Sequence, residues 1–183
     1  MNVFIGSSSE QYAVANEVRR ELLLTLPPNT VEIITWREWF RRGENHGLNT
    51  WEVISRATSR FDCAIMLLAG DDVTIVRSQE YVSTRDNVLI ESGAFADHLG
   101  IDRVFLLVDK DDQYRVASDY RGLNVILYDY ERGAENSEAF QTIREKIKEI
   151  VQTRLQEVTF PQEQTNYKTD DQIVRKEKRG KIK

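Results

Sequence analysis

Blocks of consecutive apolar residues alternate along this chain with segments whose apolar positions recur every three or four residues. The blocks are Val3-Phe4-Ile5, Val31-Glu32-Ile33-Ile34, Cys63 to Leu68, Val104 to Val108 and Asn124 to Tyr128. Their length and their β-branched and aromatic content predict five strands. Between them, Val14, Val18 and Leu22 repeat at helical spacing from about Glu10 to Leu26, where Pro27-Pro28 ends the run. Ser7-Ser8-Ser9-Glu10 is a candidate capping box for that helix. Asn49-Thr50-Trp51-Glu52 reads as the cap of a second helix running to about Arg60. A third is predicted from Asp86 to His98, closed by Gly100, with Val88, Phe95 and Leu99 on one stripe. Ser137 is the expected cap of a closing helix that carries Phe140, Ile143, Ile147 and Ile150.

The predicted order is β-α-β-α-β-α-β-β-α. Short, nearly uninterrupted apolar strands, separated by amphipathic helices, imply a parallel sheet covered on both faces, an open doubly wound α/β fold. Ligands in such sheets bind beyond the carboxyl ends of the strands. Here those ends are Gly6 to Ser9, Thr35-Trp36 and Ala69 to Asp72. The segment from Trp36 through the arginines to Gly47 reads as a polar loop, and so does the stretch from Asp71 to Arg85.

Composition adds limits. Hydrophobic residues make up 40% and charged residues 30% of 183, which suits one globular domain with its own core. No apolar run reaches membrane-spanning length and no leader precedes Asn2, so the expectation is a cytoplasmic protein without a membrane partner. The single cysteine, Cys63, sits inside a strand block and reads as core; His46 and His98 have no partners at metal-ligand spacing, so no metal is expected. A net charge of −5 argues against direct nucleic-acid binding. Residues 168–183 depart from that balance with seven basic and three acidic side chains, and residues 159–183 read as a polar basic tail or linker behind a domain at 1–158.

Glu91 is the most informative position. Three- and four-residue steps place it beside Val88 and Phe95 on the stripe that faces the sheet. A carboxylate there has a basic partner such as Arg85 or Arg103, lies at the stripe's edge in water, or opens into a ligand cleft. Ser7 and Ser8 follow Gly6 at the end of the first strand, where backbone N–H groups are suited to a phosphate, although serines there also serve as plain caps. Trp36 offers an aromatic face for a base or pyridine ring, whereas Trp39 with Phe40 reads as core. Asp71 and Asp72 are candidates for ribose hydroxyls or for turn formation. Asp86 suits the positive end of the third helix, Asn87 is a candidate cap, and Gly93 would let a backbone or ligand come close.

The words Phe4-Ile5-Gly6-Ser7-Ser8-Ser9-Glu10, Leu67-Leu68-Ala69-Gly70-Asp71-Asp72, Arg85-Asp86-Asn87-Val88-Leu89-Ile90-Glu91-Ser92-Gly93-Ala94-Phe95 and Ser118-Asp119-Tyr120-Arg121-Gly122-Leu123 together resemble one family. It is the bacterial TIR-like domain of antiphage effectors, including those joined to STING or other cyclic-nucleotide sensors. The resemblance covers about residues 2 to 155. It implies a flavodoxin-like TIR fold with a five-stranded parallel sheet, NAD+ as substrate and no separate cofactor. It also implies cleavage of the nicotinamide glycosidic bond with Glu91 catalytic; for that substrate the candidate contacts are Gly6, Ser7, Ser8, Trp36, Asp71, Asp72, Asp86 and Asn87. Activation by self-association into an oligomer or filament, through a fused or separate cyclic-nucleotide sensor, is the corresponding expectation for partners. Ser92, Ala94 and Ala96-Asp97-His98 depart from the usual pattern of that helix.

Two other readings compete. A nucleoside 2-deoxyribosyltransferase-like enzyme would cleave the same type of bond on nucleosides or nucleoside monophosphates. A non-enzymatic TIR adaptor would use the domain as a binding surface and tolerate Glu91→Gln. A dehydrogenase-type NAD site is disfavoured, because Gly6-Ser7-Ser8-Ser9 lacks the three-glycine fingerprint.

Overall fold

The computed structural model describes residues 1–109, 120, 124–129 and 137–159. In chain order the elements are β1 (Asn2–Gly6), α1 (Tyr12–Thr25), β2 (Glu32–Thr35), α2 (Trp36–Phe40), α3 (Thr50–Arg60), β3 (Cys63–Leu68), β4 (Asp72–Val76), β5 (Gln79–Ser83), α4 (Asp86–Leu99), β6 (Val104–Asp109), β7 (Asn124–Tyr128) and α5 (Ser137–Thr159). Met1–Val151 form one unit, and a second begins at Gln152 within α5. The tail from residue 160 lies outside the described residues, as does the Ser118-to-Leu123 word apart from Tyr120. The cap expected of Ser137 lies outside the described side chains.

Five strands form one parallel sheet in the order β2-β1-β3-β6-β7. This is the flavodoxin-like order, in which the chain reverses its direction of winding between β1 and β3. The strand alternation sorts the core into two layers, as period-two geometry requires. Val3, Ile5, Ile33, Cys63, Ile65 and Leu67 face α1 and α5, meeting Val18, Leu22, Ile143 and Ile147. Phe4, Ile34, Ala64, Met66, Leu68 and Leu106 face the other side, meeting Trp39, Val53, Ala57, Val88 and Phe95 from α2, α3 and α4. Burial of both strand faces explains why β3 is apolar at every position.

Aromatic rings lock the second layer. Phe95 stacks on Phe4 with centroids 4.7 Å apart, Phe4 meets Phe61 at 5.2 Å, and Phe61 meets Trp39 at 5.1 Å. The row ties α4, β1, the end of α3 and α2 together. The Trp39 indole N–H donates to the carbonyl of Val53, and Asn45 donates to the carbonyl of Trp39, so Trp39 is the core residue expected.

Three local expectations are corrected. First, α1 begins at Tyr12, and Ser7-Ser8-Ser9-Glu10 makes no capping box: the Ser8 hydroxyl takes the N–H of Gln11, which holds the chain in a turn. Second, Trp36–Phe40 is a short helix, opened by a capping box between Thr35 and Glu38. Third, the stretch from Asp71 to Arg85 is mostly a β-hairpin, β4 paired antiparallel with β5. Arg77 and Ser78 at its tip both have positive φ, 51° and 64°, the backbone of a type I′ turn. The Asn49–Glu52 capping box of α3 and the Gly100 stop of α4, at φ 85°, form as the sequence predicts.

Phe61 contributes two of the three ring contacts in this row. Phe61→Ala is therefore expected to cost about 3–5 kcal/mol of folding stability, read from urea denaturation. A cost within about 1 kcal/mol of zero would mean that the ring row does not hold the layer.

Candidate active site

The carboxyl edge of the sheet collects the loops after β1, β2 and β3, and the winding reversal opens a crevice between the ends of β1 and β3. Gly6 ends β1. A Cβ there would fall 2.4 Å from Met66 Cε and 2.7 Å from its Sδ, so the glycine makes room for a buried methionine of β3. Ser7 and Ser8 are buried, and their hydroxyls serve the loop. Ser7 Oγ donates to the Ser8 carbonyl (3.0 Å) and accepts from the Trp36 indole N–H (3.1 Å). That second bond joins the end of β1 to the start of α2. Trp36 is half-buried, edge-on to Tyr12 and Phe40.

From this loop a side chain crosses to β3. Gln11 donates its amide to Asp71 Oδ1 at 2.8 Å, while Asp71 Oδ2 is buried with no hydrogen-bond partner among the described residues. Asp72 is exposed and lies 3.5 Å from the Arg85 guanidinium, which also holds Glu10 at 2.7 Å. Arg85 thus ties the hairpin and α4 to the loop after β1. Asp86 and Asn87 are exposed in the first turn of α4. The N-cap of that helix is Arg85, with no side-chain cap bond, so Asn87 is not the cap expected of it.

Glu91 lies on the buried face of α4. The helix leads through Gly100 and residues 101–103 straight into the start of β6, so it runs antiparallel to the strands, its N-terminus at their carboxyl ends. Phe95 sits over Phe4. Glu91 is one turn, about 6 Å, nearer the start of α4, just as Gly6 is two residues, roughly 6.6 Å, nearer the end of β1. The carboxyl group is therefore carried to the edge of the sheet beside the crevice. Only 7% of the residue is exposed, and it makes no hydrogen bond or ion pair with any described residue. Arg85, a partner the sequence offers, is engaged with Glu10 and Asp72 instead. Burial without a compensating partner pushes the Glu91 carboxyl up to about 7. Such a group exchanges a proton near neutrality and, when ionised, presents an unneutralised negative charge to whatever enters.

Two neighbours on α4 have local roles. Ser92 donates to the Val88 carbonyl at 2.7 Å, and the Tyr120 hydroxyl donates to the Leu89 carbonyl at 2.5 Å. Gly93 is not crowded by backbone: a Cβ there would meet only the Tyr120 hydroxyl, at an ordinary 3.8 Å. The sequence singles out neither Gln11 nor Tyr12, and it marks Arg37 only as part of a polar loop. The last two are brought together with Trp36, the Arg37 guanidinium lying 3.8 Å from the Tyr12 ring centroid. Their common signal is adjacency to loop words already singled out, Ser7-Ser8-Ser9 and Thr35-Trp36.

A family model described as the TIR domain of CAP12/Pycsar effector proteins matches residues 2–130, a span that includes every site residue named above. The chain is 32% identical over 127 residues to CD-NTase-associated protein 12 of a Lachnospiraceae bacterium, covering 69% of this chain and 37% of that protein. It is 28% identical over 151 residues to the Pycsar effector protein XpPycTIR of Xanthomonas perforans, covering 82% and 48%. The chain thus spans less than half the length of these curated relatives. Among solved structures, a CMP N-glycosidase of Clostridium botulinum aligns with a TM-score of 0.45 at 17% identity, covering 78% of this chain and 97% of that one. By its match over residues 2–130, this chain belongs to the TIR-domain family of CAP12/Pycsar effector proteins.

Proposed function

We propose that this chain is the NAD+ glycohydrolase domain of an antiphage effector, which releases nicotinamide and ADP-ribose, or its cyclic form, and so depletes NAD+. The observation that carries the reading is Glu91, a desolvated carboxyl without a counter-charge at the carboxyl edge of a TIR-family sheet. Nicotinamide is joined to ribose as a cationic glycoside and departs neutral, so the leaving group needs no proton. As the C1′–N bond breaks, positive charge spreads over C1′ and the ring oxygen. An ionised Glu91 below the sugar stabilises that charge more than it stabilises the ground state, and low local dielectric strengthens the effect. Water then forms the C1′–O bond and gives its proton to solvent; in the cyclic case a ring nitrogen of the adenine takes the place of water.

Self-association switches the domain on, under a cyclic-nucleotide sensor in the same or another protein. The names of the relatives, CD-NTase-associated and Pycsar effector proteins, support a cyclic-nucleotide signal upstream.

Three outcomes are expected. In a nicotinamide-release assay at high protein concentration, Glu91→Gln should lower the rate by at least about 10²-fold, the scale for loss of a preorganised electrostatic group. Equal rates in both proteins would sink the reading. For the wild type, kcat/KM should rise with pH and level off above about 7, since it reports the free enzyme's carboxylate. The kcat limb should lie at lower pH, because the bound cation favours ionised Glu91; a flat kcat/KM profile from about pH 5 to 8 would contradict the assignment.

The third outcome concerns stability. Glu91 titrates near 4.5 in the unfolded chain and near 7 in the folded one, so between those values the folded state holds a proton that the unfolded state has released. Stability is therefore lost as pH rises from about 4.5 to about 7 and stays lost above it. Glu91→Gln should recover this at about pH 8, by up to about 3 kcal/mol, because each tenfold change in proton affinity is worth roughly 1.4 kcal/mol. Thermal unfolding at about pH 8 and about pH 4.5 checks it, with a higher Tm for the variant only at the higher pH.

A further inference from the structure

We infer that Arg37 is an anion-binding residue that takes the pyrophosphate of the dinucleotide substrate, held for that purpose by Tyr12 and Trp36. The inference rests on the reading of the substrate as NAD+ and adds to it a residue outside the crevice that holds Glu91.

Three other arginines close ion pairs between elements. Arg19 holds Glu38, Arg42 holds Glu32, and Arg85 holds Glu10 and Asp72. Arg37 is half-buried yet has no hydrogen bond or ion pair with any described residue. Its guanidinium carbon lies 3.8 Å from the Tyr12 ring centroid and 5.3 Å from that of Trp36. Stacking on an aromatic face holds the guanidinium flat and leaves its N–H donors, which lie in its own plane, free for an acceptor. Two carboxylates of the adjoining segments are already committed: Glu38 accepts from the Thr35 backbone and hydroxyl and from Arg19, and Glu10 accepts from Arg85. A planar fork without an acceptor matches phosphate oxygens in shape and charge.

Its place suits the other end of a dinucleotide whose nicotinamide ribose lies over Glu91. Trp36 follows the carboxyl end of β2, and its indole bonds Ser7 at the carboxyl end of β1, so Arg37 stands beside the loop after β1. Tyr12 is the first residue of α1, a helix of 14 residues with no acidic side chain in its first turn and no side-chain cap. Its would-be cap, Gln11, has turned its amide to Asp71 instead. The positive end of α1 therefore adds to the field of Arg37 rather than opposing it. Both features favour a substrate with a doubly charged linker, which NAD+ carries and a nucleoside lacks.

The test is calorimetric titration of the whole chain with ADP-ribose, for wild type, Arg37→Ala, Arg37→Gln, Arg37→Lys and Arg41→Gln, each first checked for its thermal transition. Loss of a charge-assisted bond to phosphate should weaken binding by roughly tenfold to a hundredfold in the alanine and glutamine variants. The lysine variant should fall between them and the wild type, since it keeps charge and loses the fork. Arg41→Gln should stay within about threefold of wild type, because Arg41 is exposed past the end of α2 and its charge is screened by solvent. Added inorganic pyrophosphate should compete for wild type and not for Arg37→Gln. Affinity unchanged in both the alanine and glutamine variants, or a wild type that does not bind ADP-ribose, overturns the inference. Nicotinamide release on the same samples separates the two claims. Binding that depends on Arg37 without release removes the glycohydrolase reading and leaves the anion site. Release at subsaturating NAD+ that ignores Arg37 removes the anion site and leaves the glycohydrolase.

Discussion

The stack of Phe95 on Phe4 is the contact on which the site depends, because it fixes α4 against β1 at one level along the sheet. With that level set, helical rise carries Glu91 to the carboxyl edge and no farther. A shift of α4 by one residue would turn Glu91 off the buried stripe by about 100°, and a shift by one turn would move it about 5 Å along the strands. Phe61 and Trp39 extend the ring row to α3 and α2, so the same packing that holds Glu91 also fixes where α2 begins. Trp36 and Arg37 ride on that start.

Around this frame, the domain distributes charge in a way that separates structure from chemistry. Arg19, Arg42 and Arg85 each close an ion pair that bridges elements: α1 to α2, the end of α2 to β2, and the entry to α4 to both the hairpin and the loop after β1. Glu91 and Arg37 close none with a described residue. For Glu91 the consequence is a raised proton affinity, a cost to the fold that a partner could have removed. A fold that keeps Arg85 on Glu10 and Asp72 leaves that cost standing, which is the expected signature of a group retained for binding or chemistry.

Asp71 shows the same division within one side chain. One carboxylate oxygen is held by Gln11, which fixes its orientation, and the other is buried without a partner among the described residues. The proposed ribose contact at Asp71 is compatible with that free oxygen. At Asp72 the carboxylate is instead held by Arg85, so its evident part is in tying the hairpin to α4. The serines after β1 are likewise committed through their hydroxyls, and any phosphate there would meet backbone N–H groups.

The order and class of the main elements were legible in the sequence because each is written locally. A buried parallel strand must be apolar at every position, and α3 and α4 carry their own start and stop residues in Asn49, Glu52 and Gly100. Glu91 was legible for the same reason: a carboxylate on an apolar stripe is visible from helical spacing alone. The hairpin was not, since Asp72–Val76 and Gln79–Ser83 are half polar and the turn at Arg77-Ser78 lacks the usual glycine or asparagine. The five-residue α2 was missed although Thr35 and Glu38 spell a capping box, because its apolar period is too short to register. What only the tertiary structure decided is partnership. Whether Arg85 pairs with Glu91 or with Glu10 and Asp72, and whether Arg37 finds Tyr12, depends on which strand ends lie side by side in β2-β1-β3. Contacts between residues 25 or 75 positions apart are set by sheet order, and no local pattern encodes it.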